Sequence, residues 1–302
     1  MKIGVIGIGN IAQKAYLPIY AASQEQGEFY FASSQPATRA LLKNHYGFDR
    51  VYETPADLLA EKIDGVLIHA ATKAHYPLVK KFLEAGVHVF VDKPLTESAA
   101  QSLELQQLAQ SRGLILMAGF NRRFAPLVQQ LKETPDKHLL ILQKHRINEP
   151  QPIKFVIYDL FLHLVDTAVY LADEPPLYAG GRLMVKDGLL HQAHLQLETT
   201  GCSLFLHMDL VSGTNLENYQ LTAASGRLEL AELTRLTVTD QKQISEQRVN
   251  DWETTLTKRG FAPMTAAFLE SVRTADASHL RQEQVLLSHQ LCETLLQENS
   301  QD

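Results

Sequence analysis

The stretch KIGVIGIGNIA, residues 2–12, decides the fold, because a run of apolar residues leads directly into closely spaced glycines. Gly7, Gly9 and Ala12 form the pattern G-x-G-x-x-A where a strand would turn into a helix. Glycines at this turn let a pyrophosphate approach the backbone N–H groups at the helix N-terminus. We therefore expect a dinucleotide here rather than a glycine turn that is only structural. The residues expected to line it are Gly7, Ile8, Gly9, Asn10, Ile11 and Ala12.

Strand-like and helical segments alternate over the first 120 residues or so. The strand-like segments are rich in β-branched and aromatic residues, which is typical of strands buried on both faces. After the first strand they cover residues 28–33, 64–70, 87–92 and 114–119. Repeated alternation of strand and helix favours a parallel sheet with right-handed crossovers. The sequence thus predicts an α/β fold that begins with a doubly wound domain of the Rossmann type.

A second domain is indicated by the mostly strand-like pattern of residues 137–248. Two helices, at 262–274 and 279–298, are predicted to close the chain. Long strands with one helix-covered face favour an α+β domain with a large, open, mainly antiparallel sheet. We place an NAD(P)-binding domain at residues 1–122 and a domain for substrate and oligomerisation at 123–302, with the last helix able to pack back on the first domain.

Charge and composition argue against several classes of partner. Hydrophobic residues make up 45% and charged residues 21% of the chain, as in soluble globular proteins. A formal net charge of −6 without a basic patch argues against nucleic acid. Cys202 and Cys292 are too few and too far apart for a disulfide framework or a zinc site. Without an apolar run of the ~20 residues that span a bilayer, and without a signal-peptide pattern, we expect a cytoplasmic protein with no membrane partner.

The end of the strand at 28–33 indicates which dinucleotide binds. An NAD site usually carries Asp or Glu there for the ribose 2′-hydroxyl, but here Ser33 and Ser34 stand in that position and Arg39 follows. Hydroxyl groups and a cation suit a 2′-phosphate, which favours NADP, with NAD as the other possibility. The alternative is that the serines only cap the next helix while Arg39 lies in solvent.

Lys93, in the segment GVHVFVDKPLT, emerges at the carboxyl end of a predicted parallel strand. Open α/β sheets bind their ligands at this edge, and Pro94 favours an extended conformation for the lysine. Lys93 can therefore reach a nicotinamide ribose or a substrate hydroxyl, although a strand-end lysine can also be a solvated loop residue. Other residues expected at the cofactor from the same edge are Ala71, Thr72, His75, Asp92 and Asn121.

Three titratable residues lie within an apolar run, YDLFLHLVD at residues 158–166. If the run is a helix, Asp159, His163 and Asp166 fall on one face, and a buried helix with one polar stripe should face a cleft between domains. A histidine there titrates near neutral pH and can exchange a proton with a substrate hydroxyl. The alternatives are a histidine satisfied within the core, a metal held by the three residues, or an Asp166 that only bonds the backbone.

Taken together, G-x-G-x-x-A, the DKP motif and D-x-x-x-H resemble the Gfo/Idh/MocA oxidoreductases. The segments AGVHVFVDKPL, GFNRRFAPL and LHLVDTAVYLA are similar to the MviM-type branch of that family, and the resemblance covers essentially the whole chain. It implies a Rossmann domain followed by a mixed α/β domain whose open sheet mediates homodimers or homotetramers. It also implies hydride transfer between NAD(P) and a hydroxyl-bearing carbon of a sugar, cyclitol or related small polyol.

The resemblance assigns Lys93 to the lysine of the family's E-K-P motif, and Asp159 and His163 to its paired acid and histidine. His163 is then the general acid or base, Asp159 orients its imidazole or a second hydroxyl, and Lys93 polarises the reacting oxygen. Asp92 stands where glutamate is usual, and Phe161 replaces a common glycine, which makes the pocket wall bulkier. The residues expected to contact substrate are Lys93, Asn121, Tyr158, Asp159 and His163.

Two other functions stay open on the sequence alone. A lyase or glycosidase that oxidises its substrate transiently and retains its cofactor would use the same three residues. A non-catalytic NAD(P) sensor would need only the binding loop. Arg122 and Arg123 could be salt-bridging surface residues, whereas Trp252 could either border the pocket or pack in the core.

Overall fold

The computed structural model describes residues 1–299, which form two compact units. The first unit contains residues 1–120 and 261–282, and the second contains residues 121–260 and the chain from residue 283 onward. The sequence-based boundary at 122 lies next to the first crossing between the units. The segment 261–282, which the sequence assigned to the second domain, belongs to the first unit, whereas the final helix belongs to the second. Residues 300–302 of the predicted second domain lie outside the described residues.

The first unit contains a six-stranded sheet in which every neighbouring pair is parallel. In spatial order its strands are β3-β2-β1-β4-β5-β6. They are β1 (Lys2–Ile6), β2 (Glu28–Ala32), β3 (Val51–Tyr52), β4 (Gly65–Ile68), β5 (His88–Asp92) and β6 (Leu116–Gly119). The helices between them are α1 (Leu17–Ala22), α2 (Pro36–Asn44), α3 (Pro55–Ala60), α4 (His75–Glu84) and α5 (Ala99–Ser111). The doubly wound sheet predicted from the sequence is confirmed.

The central strands of this sheet form the core of the first unit. Val89, Phe90 and Val91 of β5 have no solvent exposure, because helices cover both faces of a sheet connected by crossovers. Strands of this kind appear in the sequence as continuous apolar runs rather than as alternating apolar and polar residues, so they can be recognised from the sequence. The carboxyl ends of the strands all lie at one edge, where ligands bind in open α/β sheets.

The second unit contains a nine-stranded sheet that is antiparallel except for one parallel pair, β7 with β11. The spatial order is β15-β14-β13-β12-β7-β11-β10-β8, and β9 also pairs with β10. The strands are β7 (Lys137–Ile147), β8 (Gln151–Pro152), β9 (Tyr178–Lys186), β10 (Leu189–Glu198), β11 (Ser203–Ser212), β12 (Leu216–Ala223), β13 (Gly226–Ala231), β14 (Arg235–Thr239) and β15 (Ile244–Arg248). The predicted large, mainly antiparallel sheet is confirmed.

Burial alternates along the central strands of this sheet. In β11, Leu204, Leu206 and Met208 are buried, whereas Phe205 and His207 between them are only half-buried. Successive side chains of a strand point to opposite faces, so one face of the sheet is covered and the other is open within the unit.

A long helical stretch carries the motif Asp159-x-x-x-His163. It consists of α7 (Ile153–Val156), a π-helical turn (Ile157–Phe161) and α8 (Leu162–Leu171), and every residue of α8 is buried. Single π-helical turns within α-helices are frequent at functional sites. The remaining helices are α6 (Pro126–Glu133), α9 (Thr255–Lys258), α10 (Phe261–Thr274) and α11 (Val285–Glu298).

The last helix is shorter than the sequence predicts. It begins at Val285 rather than near residue 279, because Gln284 adopts a left-handed backbone conformation with φ of 57°. That conformation is incompatible with a continuous right-handed helix. Among the described residues, no helix has the length and apolar character needed to cross a membrane.

Candidate active site

The glycine-rich loop after β1 forms part of a groove of about 510 Å³ in the first unit. Gly7 has a φ of 84°, and a Cβ there would come within 2.2 Å of the Ala70 backbone nitrogen, so only glycine fits. At Gly9, by contrast, an added Cβ would meet nothing within 4 Å. The loop therefore turns tightly at Gly7 and leaves open space at Gly9, which fits a pyrophosphate that approaches the backbone.

Substitutions at these two glycines should have separable effects. We expect Gly9→Ala to leave the unfolding midpoint unchanged but to weaken NAD(P)H binding at least about tenfold, because its methyl group enters the space a pyrophosphate needs. Gly7→Ala should instead destabilise the unit by more than the ~1–3 kcal/mol of backbone strain alone. Gly47→Ala is the control, since Gly47 has a φ of 71° but no neighbour within 4 Å of an added Cβ. Urea unfolding measures stability and NAD(P)H fluorescence measures binding, and loss of stability in Gly9→Ala would contradict the assignment.

Many of the residues predicted to bind the cofactor line this groove. They are Gly7, Ile8, Gly9, Ser33, Ser34 and Ala71. Asn10 and Ile11 are exposed, Ala12 is buried in a π-helical turn, and Thr72 is half-buried. Arg39 does not line the groove. Its Nη1 instead donates a hydrogen bond to the Ser33 carbonyl at 2.7 Å.

Glu53 is a groove residue that the sequence analysis missed. It follows β3, whose two residues are too few to give a strand pattern, and it is the one charged side chain on the groove wall formed by the described residues. Only the order of the strands could have indicated Glu53, because β3 lies beside β2 and ends at the same edge of the sheet. The negative charge of Glu53 affects whether the groove accepts NAD or NADP.

His69 forms a neutral part of the groove wall. Burial lowers the pKa of His69 to about 3, so the ring is uncharged at neutral pH. Its Nε2 lies 2.6 Å from the Tyr20 hydroxyl, and its ring stacks on Tyr16 with a centroid distance of 3.9 Å. His69 is therefore a fixed aromatic surface rather than a group that exchanges protons at working pH.

The backbone on both sides of Lys93 is held by buried side chains. The Asp92 carboxylate accepts a hydrogen bond from the Lys93 N–H at 2.9 Å, and burial raises the pKa of Asp92 although the Lys93 charge opposes this. His75 lies 2.7 Å through Nδ1 from the Pro94 carbonyl and 2.9 Å through Nε2 from the Ala70 carbonyl. The sequence predicted that His75 contacts the cofactor directly. The two carbonyl contacts tie the Lys93 loop to the end of β4, and the contact of His75 with the cofactor stays a prediction.

In the second unit, a buried ion cluster surrounds the imidazole of His163. Arg122 is 5% exposed, and its Nε and Nη2 donate to the two carboxylate oxygens of Glu217 at 2.6 and 2.9 Å. Its Nη1 lies 2.8 Å from Nδ1 of His163, which is 9% exposed. Tyr219 and Arg259 also donate to Glu217, at 2.6 and 3.2 Å. Within the second unit, the cluster joins the segment that carries Arg122 to β12 and to α8.

Charges within this cluster are strongly coupled. Lys144 of β7 stands opposite Glu217 of β12 in the sheet register, with Nζ 3.6 Å from the carboxylate. Burial lowers the pKa of Lys144 well below its usual range, and the Arg122 charge adds to this. Burial alone would raise the pKa of Glu217, but attraction to Arg122 and Lys144 holds it well below the usual range. Glu217 is thus a permanent anion that fixes the Arg122 guanidinium in place.

The salt bridges expected for both arginines of GFNRRF are confirmed, but the expected surface position of the two residues is wrong. Arg123 is fully buried and makes a two-bond pair with Asp166, at 2.9 and 2.8 Å. Ser288 of α11 donates a further hydrogen bond to Asp166 at 3.1 Å. Asp166 therefore pairs with an arginine side chain in the core, rather than with the backbone. The predicted surface positions of Arg122 and Arg123 are wrong because arginine is rarely fully buried unless it is paired, and neither pairing partner can be recognised from the sequence.

The remaining predicted residues lie in different environments. Asp159 is half-buried in the π-helical turn and Tyr158 beside it is buried. Both polar groups of the Asn121 side chain are used within the second unit, since Nδ2 donates to the Arg259 carbonyl at 2.7 Å and Oδ1 accepts from Arg122 at 3.2 Å. Trp252 is 95% exposed in a turn, so both interpretations of it were wrong.

The glycine-rich loop, the groove and the parallel sheet define the first unit as a dinucleotide-binding Rossmann unit. Residues 1–120 match the model of the Gfo/Idh/MocA oxidoreductase family with NAD-binding Rossmann fold, and residues 126–241 match the YceM-like C-terminal domain. The chain therefore belongs to the Gfo/Idh/MocA oxidoreductase family, a family of NAD-binding enzymes, and the resemblance drawn from its motifs is confirmed.

Similar proteins extend over most of the chain. The protein YceM of Salmonella typhimurium is 32% identical over 98% of this chain and 97% of its own. The dehydrogenase MviM of Clostridium difficile is 28% identical, covers 99% of both chains and superposes with a TM-score of 0.91. The myo-inositol 2-dehydrogenase of Thermotoga maritima is 28% identical over 62% of this chain and 60% of its own.

Proposed function

We propose that the protein is an NADP-dependent dehydrogenase or reductase that acts on a hydroxyl- or carbonyl-bearing carbon of a sugar, cyclitol or related small polyol. The groove at Gly7 and Gly9 carries this proposal, because its open space suits a pyrophosphate and its edge of the sheet leads to Lys93. A polyol substrate is supported by a relative whose name states one, the myo-inositol 2-dehydrogenase.

The proposed chemistry divides between the cofactor and the chain. The bound nicotinamide supplies or accepts the hydride. Lys93, Asp159 and His163 act on the substrate oxygen, by hydrogen bonds and by the proton that must move with the hydride. Asp92 and His75 hold the backbone of the Lys93 loop from both sides, which preorganises the lysine and lowers the cost of placing it.

The function is tested by measuring NADP and NAD binding side by side and then screening sugars, cyclitols and keto-acids for oxidation or reduction of the cofactor. Lys93→Ala is run with the wild type to reveal background reduction, and Lys81→Ala, which removes an exposed lysine of α4, is the control. Turnover with a polyol or its carbonyl product is the expected result. A cofactor that copurifies and shows no net reduction, while a substrate is cleaved, would point to a lyase or glycosidase instead.

Cofactor preference is tested at Arg39 and Glu53. If Arg39 leaves the Ser33 carbonyl to pair with a 2′-phosphate, Arg39→Ala should weaken NADPH binding roughly 10- to 100-fold, the value of a charge-assisted hydrogen bond, and leave NADH binding unchanged. Glu53→Gln should strengthen NADPH binding, because it removes a like charge from the groove wall. Fluorescence titrations give both constants. Tighter binding of NADH by the wild type, or equal effects of Arg39→Ala on both cofactors, would favour NAD.

We further propose that copies of the chain associate as a homodimer or homotetramer through the open face of the nine-stranded sheet. Half-buried apolar side chains on this face, such as Ile141 and Phe205, support the proposal, since they gain from being covered. Sedimentation of the wild-type protein tests it, and a monomer at micromolar concentration would contradict it.

A further inference from the structure

Positive charges gather on the covered face of the nine-stranded sheet in the second unit. Lys144 and Arg146 are two positions apart on β7, so their side chains leave the same face of the strand. The neighbouring charges that act most strongly on the pKa of Lys144 come from three arginines and one carboxylate, those of Arg122, Arg146, Arg259 and Glu217. We call Lys144 and the three arginines the basic cluster.

Three cations of the basic cluster share the single carboxylate of Glu217. Measured from this carboxylate, the distances are 2.6 Å to Arg122, 3.2 Å to Arg259 and 3.6 Å to Lys144. The fourth cation, Arg146, is half-buried and forms no hydrogen bond or ion pair with any residue from 1 to 299. In a chain with a formal net charge of −6, the basic cluster is thus a local surplus of positive charge. Burying like charges costs free energy unless an anion compensates them.

The neighbouring acids do not remove this surplus. Glu232 accepts a hydrogen bond from the Glu217 N–H at 2.8 Å, but it is exposed, so solvent and salt screen its charge. Asp159 is half-buried on the helical stretch, one turn before His163. Neither carboxylate is among the four charges that act most strongly on the pKa of Lys144. An anion from outside the chain would complete the charge balance of the basic cluster.

The more accessible members of the basic cluster have side chains suited to such an anion. The Arg259 side chain is 31% exposed and Arg146 is half-buried, whereas Lys144 lies behind them with a side chain that is 2% exposed. A guanidinium offers two parallel N–H donors, which match the oxygens of a carboxylate or a phosphate. Arg122 lies 2.8 Å from Nδ1 of His163, so the basic cluster adjoins a residue proposed to act on the substrate.

We propose that the basic cluster is an anion-binding site, and that the polyol substrate carries the anion as a carboxylate or phosphate group bound by Arg146 and Arg259. The identity of the substrate rests on the proposed function, whereas the anion site does not. Arg122 and Lys144 are positioning residues here, since they add to the positive potential without being exposed. The substrate class is thereby narrowed from sugars and cyclitols in general to sugar acids and sugar phosphates.

Equilibrium binding at constant ionic strength is the first test, and it needs neither cofactor nor turnover. Calorimetry is run with inorganic phosphate, glucose 6-phosphate and glucuronate, with neutral glucose as the reference, so that phosphate and carboxylate are distinguished. We expect a charged probe to bind at least about tenfold more tightly than glucose, and Arg146→Met and Arg259→Met each to weaken its binding at least about tenfold. Arg248→Met, which removes an exposed arginine of β15, is the control and should change nothing. Charged probes that bind no more tightly than glucose, or whose binding survives both substitutions, overturn the inference.

Stability gives a second, independent measurement. Arg146→Met gives up no hydrogen bond or ion pair with residues 1–299 and removes a like charge, so its urea midpoint without added anion should equal or exceed that of the wild type. The anion should raise the midpoint of the wild type and leave that of Arg146→Met unchanged, because only a protein that binds it is stabilised. A lowered midpoint in Arg146→Met would mean that this residue serves the fold, and would overturn its role in the anion site.

Turnover separates the anion site from the proposed function. If a charged probe binds through the two arginines but no sugar acid or sugar phosphate exchanges hydride with NADP or NAD, the proposed function fails and the anion site stands. If the wild type turns over neutral polyols as efficiently as the matching acids and phosphates, the function stands and the inferred substrate class is wrong.

Discussion

Lys93→Ala is expected to lower kcat by about 10²–10⁴-fold, the range typical of a lost general acid or base. The Lys93 ammonium is one of the groups proposed to act on the substrate oxygen as the hydride moves, and Asp92 and His75 hold the backbone of its loop. Steady-state kinetics on the substrate found by the screen gives kcat, and NADPH fluorescence gives cofactor affinity. We expect affinity to change by only a few fold, because Lys93 is not among the residues that line the groove at the glycine loop.

His163→Ala should act in the same direction, with a loss on the order of 10²–10⁴-fold in kcat, the range typical of a lost general acid or base. Its control is His138→Ala, which removes an exposed imidazole of β7 from the same unit. If Lys93→Ala or His163→Ala weakened cofactor binding as much as turnover, the affected residue would serve cofactor binding rather than the chemical step.

Asp166→Asn should be the most destabilising of the substitutions considered, lowering the free energy of unfolding by about 3–5 kcal/mol. The variant leaves the Arg123 guanidinium charged and fully buried without its carboxylate, and it weakens the link from α8 to Ser288 of α11. Urea unfolding, followed by circular dichroism, measures the change.

The matched control for Asp166→Asn is Glu229→Gln, which breaks the exposed pair between Glu229 and Arg227 in the same unit. Exposed pairs contribute between about 0 and 1 kcal/mol, so the midpoint should hardly move. The double variant Arg123→Met with Asp166→Leu should recover much of the lost stability, because apolar residues that replace a buried pair are often neutral. Equal midpoints for Asp166→Asn and Glu229→Gln would show that the buried pair is solvated or dispensable.

The fold could be predicted because its signals are local. Parallel strands buried on both faces appear as apolar runs, and a glycine pattern at the end of the first strand marks one binding edge. Lys93 and the glycine loop could be singled out for the same reason: each is defined by its position relative to a strand that can be recognised nearby in the sequence.

The environment of His163 could not be predicted in this way. Arg122 and Glu217 are 95 positions apart, and they meet only because the register of β12 against β7 turns Glu217 to the covered face of the sheet. Nothing local distinguishes a strand glutamate that will be buried beside an arginine from one on a solvated face. The same limit applies to His75, whose two carbonyl partners come from different loops.

The return of the chain to the first unit at residues 261–282 has a practical consequence for engineering. Helix α10 brings Phe268 to 5.7 Å from Phe90 of β5, so a fragment that stops at residue 120 would expose an aromatic surface that is normally covered. Residues 121–260 are thus an insertion between the two chain segments that form the first unit. Chimeras that exchange substrate preference among relatives should be spliced at residues 120, 260 and 282, rather than joined once between two successive halves.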